Sequence, residues 1–176
     1  MSEFRLSIII PARNESKRIG ATLASVAEYL LRQPYGAEVI VVDNASTDNT
    51  SESALIFSDR IKNLRVIREP RGGKGYAVTA GILAASGNLK IFMDADNATD
   101  INQLDRLLPF IEQGYDVVIG SIAVPGAIIS KTEHEPAWRI TLGKLGNLVT
   151  RALAVPGIYD TQRGFKLFTT KAADDI

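Results

Sequence analysis

The stretch Leu89-Lys90-Ile91-Phe92-Met93-Asp94-Ala95-Asp96 decides how the chain is read. Its first five residues, apolar but for one lysine, predict a buried strand, and the strand runs directly into two carboxylates. Residues i and i+2 of an extended segment point the same way, so Asp94 and Asp96 can both reach one hard cation. Ligands of open α/β sheets also gather at the carboxyl ends of strands. A solvated strand-to-loop turn would carry the same residues, because Asp and Asn are ordinary turn formers. What separates these readings is whether other strands end in matching loops.

Apolar, β-branched runs recur at Leu6–Ile10, Val39–Val42, Leu64–Ile67 and Val117–Ile119. Between them Ile19, Leu23, Val26 and Leu30 mark one helical face, and Ile101, Leu104, Leu107, Leu108 and Ile111 mark another. Ala77, Ala80, Gly81 and Ala84 give a small-residue face that can sit close to a sheet. Strands that are apolar throughout and alternate with helices predict an α/β fold, with a mostly parallel central sheet flanked by helices. Residues 1–176 are read as a single domain, large enough to bury a real core.

Composition removes several function classes. Twenty Lys and Arg balance twenty Asp and Glu, so no global field recruits nucleic acid or an anionic membrane. The absence of cysteine excludes disulfides, thiol nucleophiles and thiolate zinc sites, and the single histidine, His134, excludes a multi-histidine metal site. The first residues do not read as a signal peptide, and no apolar run approaches the roughly 20 residues of a membrane-spanning helix. The chain is therefore expected to be soluble and cytoplasmic. Residues 169–176 read as the opening of a helix, so C-terminal elements of a longer protein are expected to be missing.

Three loops carry the polar chemistry. In Pro11-Ala12-Arg13-Asn14-Glu15 the proline is read as ending the first strand, and Asn14 or Ser16 as capping the helix that follows. Glu15 and exposed backbone there could hold a nucleobase or ribose. At the end of the second strand Asp43 is read as a binding residue, able to accept from ribose hydroxyls or a base N–H, and Asp48 as a helix cap. Arg71-Gly72-Gly73-Lys74-Gly75 offers close backbone approach, helix N–H donors and a lysine charge. It is not a Walker loop, since Gly75 stands where Ser or Thr is required, and no GxGxxG follows the first strand. Followed by Asp94 and Asp96, these loops describe a site for a nucleotide diphosphate. A divalent ion there would neutralise charge on a leaving diphosphate.

Beyond Gly120 the pattern changes. Residues 121–136 read as a long loop, and 136–155 as a helix with Trp138, Leu142, Leu145, Val149 and Ala152 on one face. Lys144 and Arg151 lie opposite, with Arg139 at the flank. This helix either packs on the domain as an ordinary amphipathic element or rests on a membrane with its cations toward headgroup phosphates.

The series PARNE (11–15), VVDNASTDNT (41–50), GGKGYAV (72–78), DADNAT (94–99) and DTQRGFKLF (160–168) resembles the family 2 glycosyltransferases of GT-A fold. Within them it is most similar to the polyprenyl-phosphate hexosyltransferases, the dolichyl-phosphate glucose and mannose synthases. The resemblance spans Leu6 to Phe168. It implies inverting transfer of a hexose from a nucleotide-diphosphate sugar to a polyprenyl or dolichyl phosphate. Pro11, Ala12, Glu15 and Asp43 would hold the nucleoside and Lys74 would lie near the nucleotide, while Asp94 and Asp96 would hold Mg²⁺ or Mn²⁺. Asp160 to Lys166 would close the sugar and acceptor side, and the implied catalytic residues are Asp96, Asp160, Gln162 and Arg139.

A phosphate monoester is already ionised at neutral pH, so a lipid-phosphate acceptor needs cations rather than a strong base. Arg139, Lys144, Arg151, Arg163 and Lys166 are the candidates. With such an acceptor the 136–155 helix gains a purpose, as a peripheral contact on the cytosolic face of a membrane. The form Asp-Thr-Gln-x-Gly-Phe-Lys is closer to the glucosyl members, which favours UDP-glucose over GDP-mannose. One departure stands out: Gly120-Ser121 is followed by Ile122, where these synthases commonly carry arginine. Either Arg139 or Lys131 substitutes, or the acceptor differs. Two further readings stay open, a transferase acting on a glycan or other hydroxyl acceptor with Asp160 as base, and a noncatalytic nucleotide-sugar binding module.

Overall fold

In the computed structural model, which describes residues 4–121 and 164–175, parallel pairing organises the sheet. Strand β1 (Leu6–Ala12) lies between β2 (Ala37–Asn44) and β4 (Leu89–Met93), parallel to both, and β3 (Leu64–Glu69) continues the parallel set beyond β2. With β5 (Val117–Ile119) and β6 (Phe165–Thr169) the order is β3-β2-β1-β4-β6-β5. Among the described residues the helices are α1 (Ile19–Leu30), α2 (Thr50–Leu55), α3 (Lys74–Ala84), α4 (Leu104–Glu112) and α5 (Thr170–Asp174), with one 3₁₀ turn, Ile101–Gln103, leading into α4. Residues 4–118 and 164–175 group into one compact unit. The 136–155 segment lies outside the described residues. Among the described residues no helix is long and apolar enough to cross a membrane.

Alternation along the strands explains why they read as apolar throughout. Ile8, Ile10, Val39, Val41 and Ile91 face a core completed by Ile19, Leu23 and Val26 of α1 and Leu104 and Leu107 of α4. Ile9, Ile40, Val42 and Phe92 face the other side, against Ala77 and Ile82 of α3. Both faces are covered, as a parallel sheet requires. Gly81 sets how closely α3 approaches: a methyl group there would collide with Ile9 and come within 3.1 Å of Val42.

One expectation is corrected and one element is added. Pro11 does not end β1; the strand runs on to Ala12, with Pro11 opposite Val42 and Ala12 opposite Asp43. The β1–β4 ladder stops at Ile9 opposite Phe92. One side of β1 is therefore unpaired beyond Ile9, and a residue without an N–H is tolerated there. The stretch Phe165–Thr169, read only as part of a motif, is strand β6, antiparallel to β4 from Met93 opposite Phe165 to Leu89 opposite Thr169. Its residues Phe165, Leu167 and Phe168 are buried, as those of β4 are.

The amino-terminal edge of the sheet is closed by a buried charge. Glu38 is 2% exposed and accepts from Ser7 Oγ (2.7 Å), Ser86 N (2.6 Å), Ser86 Oγ (2.8 Å) and Arg65 Nη2 (2.8 Å). Burial alone would raise its pKa, but these bonds outweigh it and hold the carboxyl at about 2, against an ordinary 4.5. The folded value lies below the unfolded one, so the stabilisation is complete above pH 4.5 and is lost as pH falls toward 2. Glu38→Ala is expected to lower unfolding free energy at pH 7 by roughly 3 kcal/mol, and by progressively less below pH 4.5. Urea melts across pH 3 to 7, a range of about four units, check this; a cost that does not change with pH contradicts it.

Candidate functional site

The carboxyl-terminal edge is built from loops that leave β1, β2 and β4 through left-handed residues. Asn14 (φ 56°), Ala45 (φ 53°) and Asn97 (φ 56°) are the described non-glycine residues with positive φ, one in each loop. Such backbone is tolerated where surrounding contacts fix it. Here the first two loops fix one another. Asn14 N donates to Ser46 Oγ (3.1 Å) and Thr47 N donates to Asn14 Oδ1 (2.8 Å). Glu15 N donates to Thr50 Oγ1 (2.8 Å) and Ser16 N to Asp48 Oδ2 (3.2 Å). Asn14 and Ser16 therefore do not cap α1 as expected; Arg18 stands at that position and its side chain makes no capping bond. Asp48 does serve α2, accepting from Thr50 N at 3.1 Å.

Asn44, the last residue of β2, organises the β3–α3 loop. Its Oδ1 accepts from Gly73 N (2.8 Å) and its Nδ2 donates to the Arg71 carbonyl (2.6 Å). Gly73, at φ 136°, turns the chain into α3 in a conformation that favours glycine. Arg71 forks onto Glu69 (2.8 and 2.9 Å), lowering the Glu69 pKa to about 2, and stacks 4.6 Å from the Tyr76 ring centroid. Lys74 opens α3, and its N-cap residue, Gly73, has no side chain to make a capping bond.

Asp94 and Asp96 lie in a turn just past β4, not in extended strand, so alternation is not what brings them together. The turn is pinned from below. Buried Thr22 of α1 donates to the Ala95 carbonyl at 2.6 Å, and Asp96 Oδ1 accepts from Ala98 N at 3.0 Å. Lys74 Nζ pairs with Asp94 Oδ1. In the same turn Asn97 Oδ1 is buried without a hydrogen-bond partner, an unmet acceptor beside two carboxylates.

These elements enclose a cleft of about 370 Å³. The first loop contributes Pro11, Ala12, Arg13 and Glu15, β2 contributes Asn44, the α3 entry contributes Gly73, Lys74 and Ala77, and the β4 turn contributes Asp94, Ala95 and Asp96. Of the expected residues, Pro11, Ala12, Glu15, Lys74, Asp94 and Asp96 are brought together. Asp43 is not among them. It is 6% exposed, with Oδ1 accepting from Ser46 N (2.9 Å) and Oδ2 from Ser51 Oγ. Burial raises its pKa, but those bonds prevail and hold it below the ordinary value. Asn44 faces the cleft in its place.

Glu15 is itself engaged, bidentate with Arg18 at 2.7 Å for both bonds. Lys166 lies 5.6 Å from the Phe92 ring centroid, and Lys74 lies 5.9 Å from it. The other expected residues, Ile122, Lys131, Arg139, Lys144, Arg151, Asp160, Gln162 and Arg163, lie outside the described residues. Sequence reasoning missed Arg13, Asn44 and Thr22. Asn44 had a signal, standing next to Asp43 at the strand end, whereas Thr22 reads as an ordinary helix residue.

Solved structures share this architecture. A glucosyl-3-phosphoglycerate synthase from Mycobacterium tuberculosis, solved with Mn²⁺, uridine-diphosphate-glucose and phosphoglyceric acid, superposes with a TM-score of 0.70 at 21% identity. That alignment covers 96% of this chain and 57% of that one. The fold is the GT-A fold. The model of the family described as Glycosyl transferase family 2 matches residues 7–176, and the chain belongs to that family. A dolichyl-phosphate beta-glucosyltransferase of Trichomonas vaginalis is 37% identical over 98% of this chain and 54% of its own length. The Homo sapiens protein of the same name is 31% identical over 96% of the chain and 56% of its own. The chain thus spans about half the length of the curated relatives it matches.

Asn44→Ala removes both bonds that seat the β3–α3 loop. It is expected to cost about 1–3 kcal/mol and to speed amide exchange at Gly72 and Gly73 while leaving β1 amides protected. Hydrogen-exchange NMR checks this, and unchanged exchange at Gly73 contradicts it.

Proposed function

We propose that this chain carries the donor site of an inverting, metal-dependent glucosyltransferase that moves glucose from UDP-glucose to dolichyl phosphate. The observation that carries this reading is the cleft at the carboxyl edge, where Lys74 at the start of α3 pairs with Asp94 and Asp96 lines the same space. Relatives named as dolichyl-phosphate beta-glucosyltransferases support the sugar and the acceptor. A structural neighbour that binds Mn²⁺ with UDP-glucose supports the donor and the metal.

The carboxylates suit Mg²⁺ or Mn²⁺ chemically. Among the described residues no group of three or more His, Cys, Asp or Glu could hold a metal. A pair of carboxylates that leaves the remaining positions to phosphate oxygens and water is how Mg²⁺ is commonly held at phosphate sites. Asp94 and Asp96 would hold the ion, which when bound supplies positive charge to the leaving diphosphate. Lys74 and the free N–H groups of α3 would take phosphate oxygens. The loop between β1 and α1, locked to the β2 loop, would seat the nucleoside against Pro11 and Ala12.

Reaction then requires an acceptor phosphate oxygen to attack the anomeric carbon as its bond to the diphosphate breaks. No proton need be removed from an ionised phosphate, so cations rather than a base are required. Lys166, carried into the sheet by β6, and Arg139, Lys144 and Arg163 are the residues we assign to that task, with Asp160 and Gln162 near the sugar. The 136–155 segment would rest peripherally on the membrane that holds the lipid, on its cytosolic face.

Calorimetry with UDP-glucose and GDP-mannose, each with and without Mn²⁺, tests the donor site. UDP-glucose is expected to bind with Mn²⁺ present, and Asp94→Asn/Asp96→Asn to weaken that binding at least about tenfold. Labelled glucose should then pass to dolichyl phosphate. A folded protein that binds neither nucleotide sinks the reading. Metal-dependent binding without transfer supports a binding module instead.

A further inference from the structure

Gly164 and Asp94 meet where the β4–β6 ladder ends. That ladder is antiparallel and its last pair is Met93 opposite Phe165, so Asp94 leaves β4 where Gly164 leads into β6. Here only one of the two has a Cβ. A methyl group on Gly164 would run into Asp94 Cγ and both carboxylate oxygens, so the Asp94 side chain lies across the bare Cα of Gly164. Gly164 has no left-handed φ, unlike Gly73 and Gly114. The demand for glycine shown here is one of space.

From these contacts we infer that Gly164 is a positioning residue for Asp94: its missing side chain is the seat that aims this carboxylate into the cleft. Lys74 Nζ holds the same carboxylate from the α3 side, so Asp94 is fixed between the helix start and the incoming strand. Part of the inference rests on the proposed role of Asp94 in holding a divalent ion with the diphosphate. The packing does not.

Two readouts test it on the full chain. In thermal melts, Gly164→Ala should lower Tm, and adding Asp94→Ala should recover much of that loss by removing the group the methyl strikes. Gly20→Ala is the control, since its Cβ would meet only ordinary contacts at 3.7 Å and beyond. In calorimetry, Gly164→Ala should weaken Mn²⁺-dependent UDP binding roughly 10- to 100-fold, leave Mn²⁺-independent binding alone, and cause no further loss in an Asp94→Ala background. A Gly164→Ala protein that binds Mn²⁺ and UDP like wild type overturns the inference. So does a loss of equal size with and without Asp94, or a Tm deficit that Asp94→Ala does not relieve. If wild type itself shows no Mn²⁺-dependent binding, the proposed function fails first, and the melting comparison still decides whether Gly164 seats Asp94.

Discussion

Parallel pairing of β1 with a partner on each side is the constraint from which the rest of this structure follows. Parallel strands must all point one way, so every loop leaving β1, β2, β3 and β4 emerges at the same edge. Helices are then needed on both faces to return the chain, and burial on both faces requires strands apolar at nearly every position. The polar residues have only the edges left. At the amino edge Glu38 closes the sheet as a satisfied buried charge. At the carboxyl edge the polar groups are left facing a cleft.

The charges in that cleft are mixed in a way that suits a mixed ligand. Arg13 and Lys74 bring positive charge, Asp94 and Asp96 negative, and Glu15 is matched by Arg18. A purely cationic pocket would fit a phosphate without metal, and a purely acidic one a cation without phosphate. A diphosphate with its divalent ion needs both signs within a few ångströms, one set of oxygens for the ion and one set of donors for the phosphate. The Lys74–Asp94 pair puts the two sets in contact. The buried, unpaired Asn97 Oδ1 in the same turn adds an acceptor that the fold itself leaves unmet.

Much of this was legible in the sequence because strand patterns and strand-end loops are local. The runs Leu89–Met93 and Val117–Ile119 have the bounds of β4 and β5, and the cleft residues Glu15, Lys74, Asp94 and Asp96 were named from loop position, while Pro11 and Ala12 came with the family resemblance. What was not legible depends on partners distant in the chain. Whether Pro11 ends a strand turns on where β4 stops pairing. Whether Asp43 or Asn44 faces the cleft turns on Ser46 and Ser51 claiming the carboxylate. Asn14 looked like a cap for its own helix and instead clips a loop some thirty residues on, at Ser46 and Thr47. The apposition of Gly164 and Asp94 exists only once β6 is laid against β4.

The claim that the carboxyl edge is a metal–nucleotide site is tested most directly by paramagnetic NMR. Amide spectra would be recorded on the protein with UDP-glucose, first with Mg²⁺ and then with trace Mn²⁺. Broadening should centre on Ala95 to Asn97 and on Gly73 and Lys74, and spare Ser86 and Gly87 at the opposite edge. Broadening that is absent, evenly spread or centred elsewhere would contradict the account.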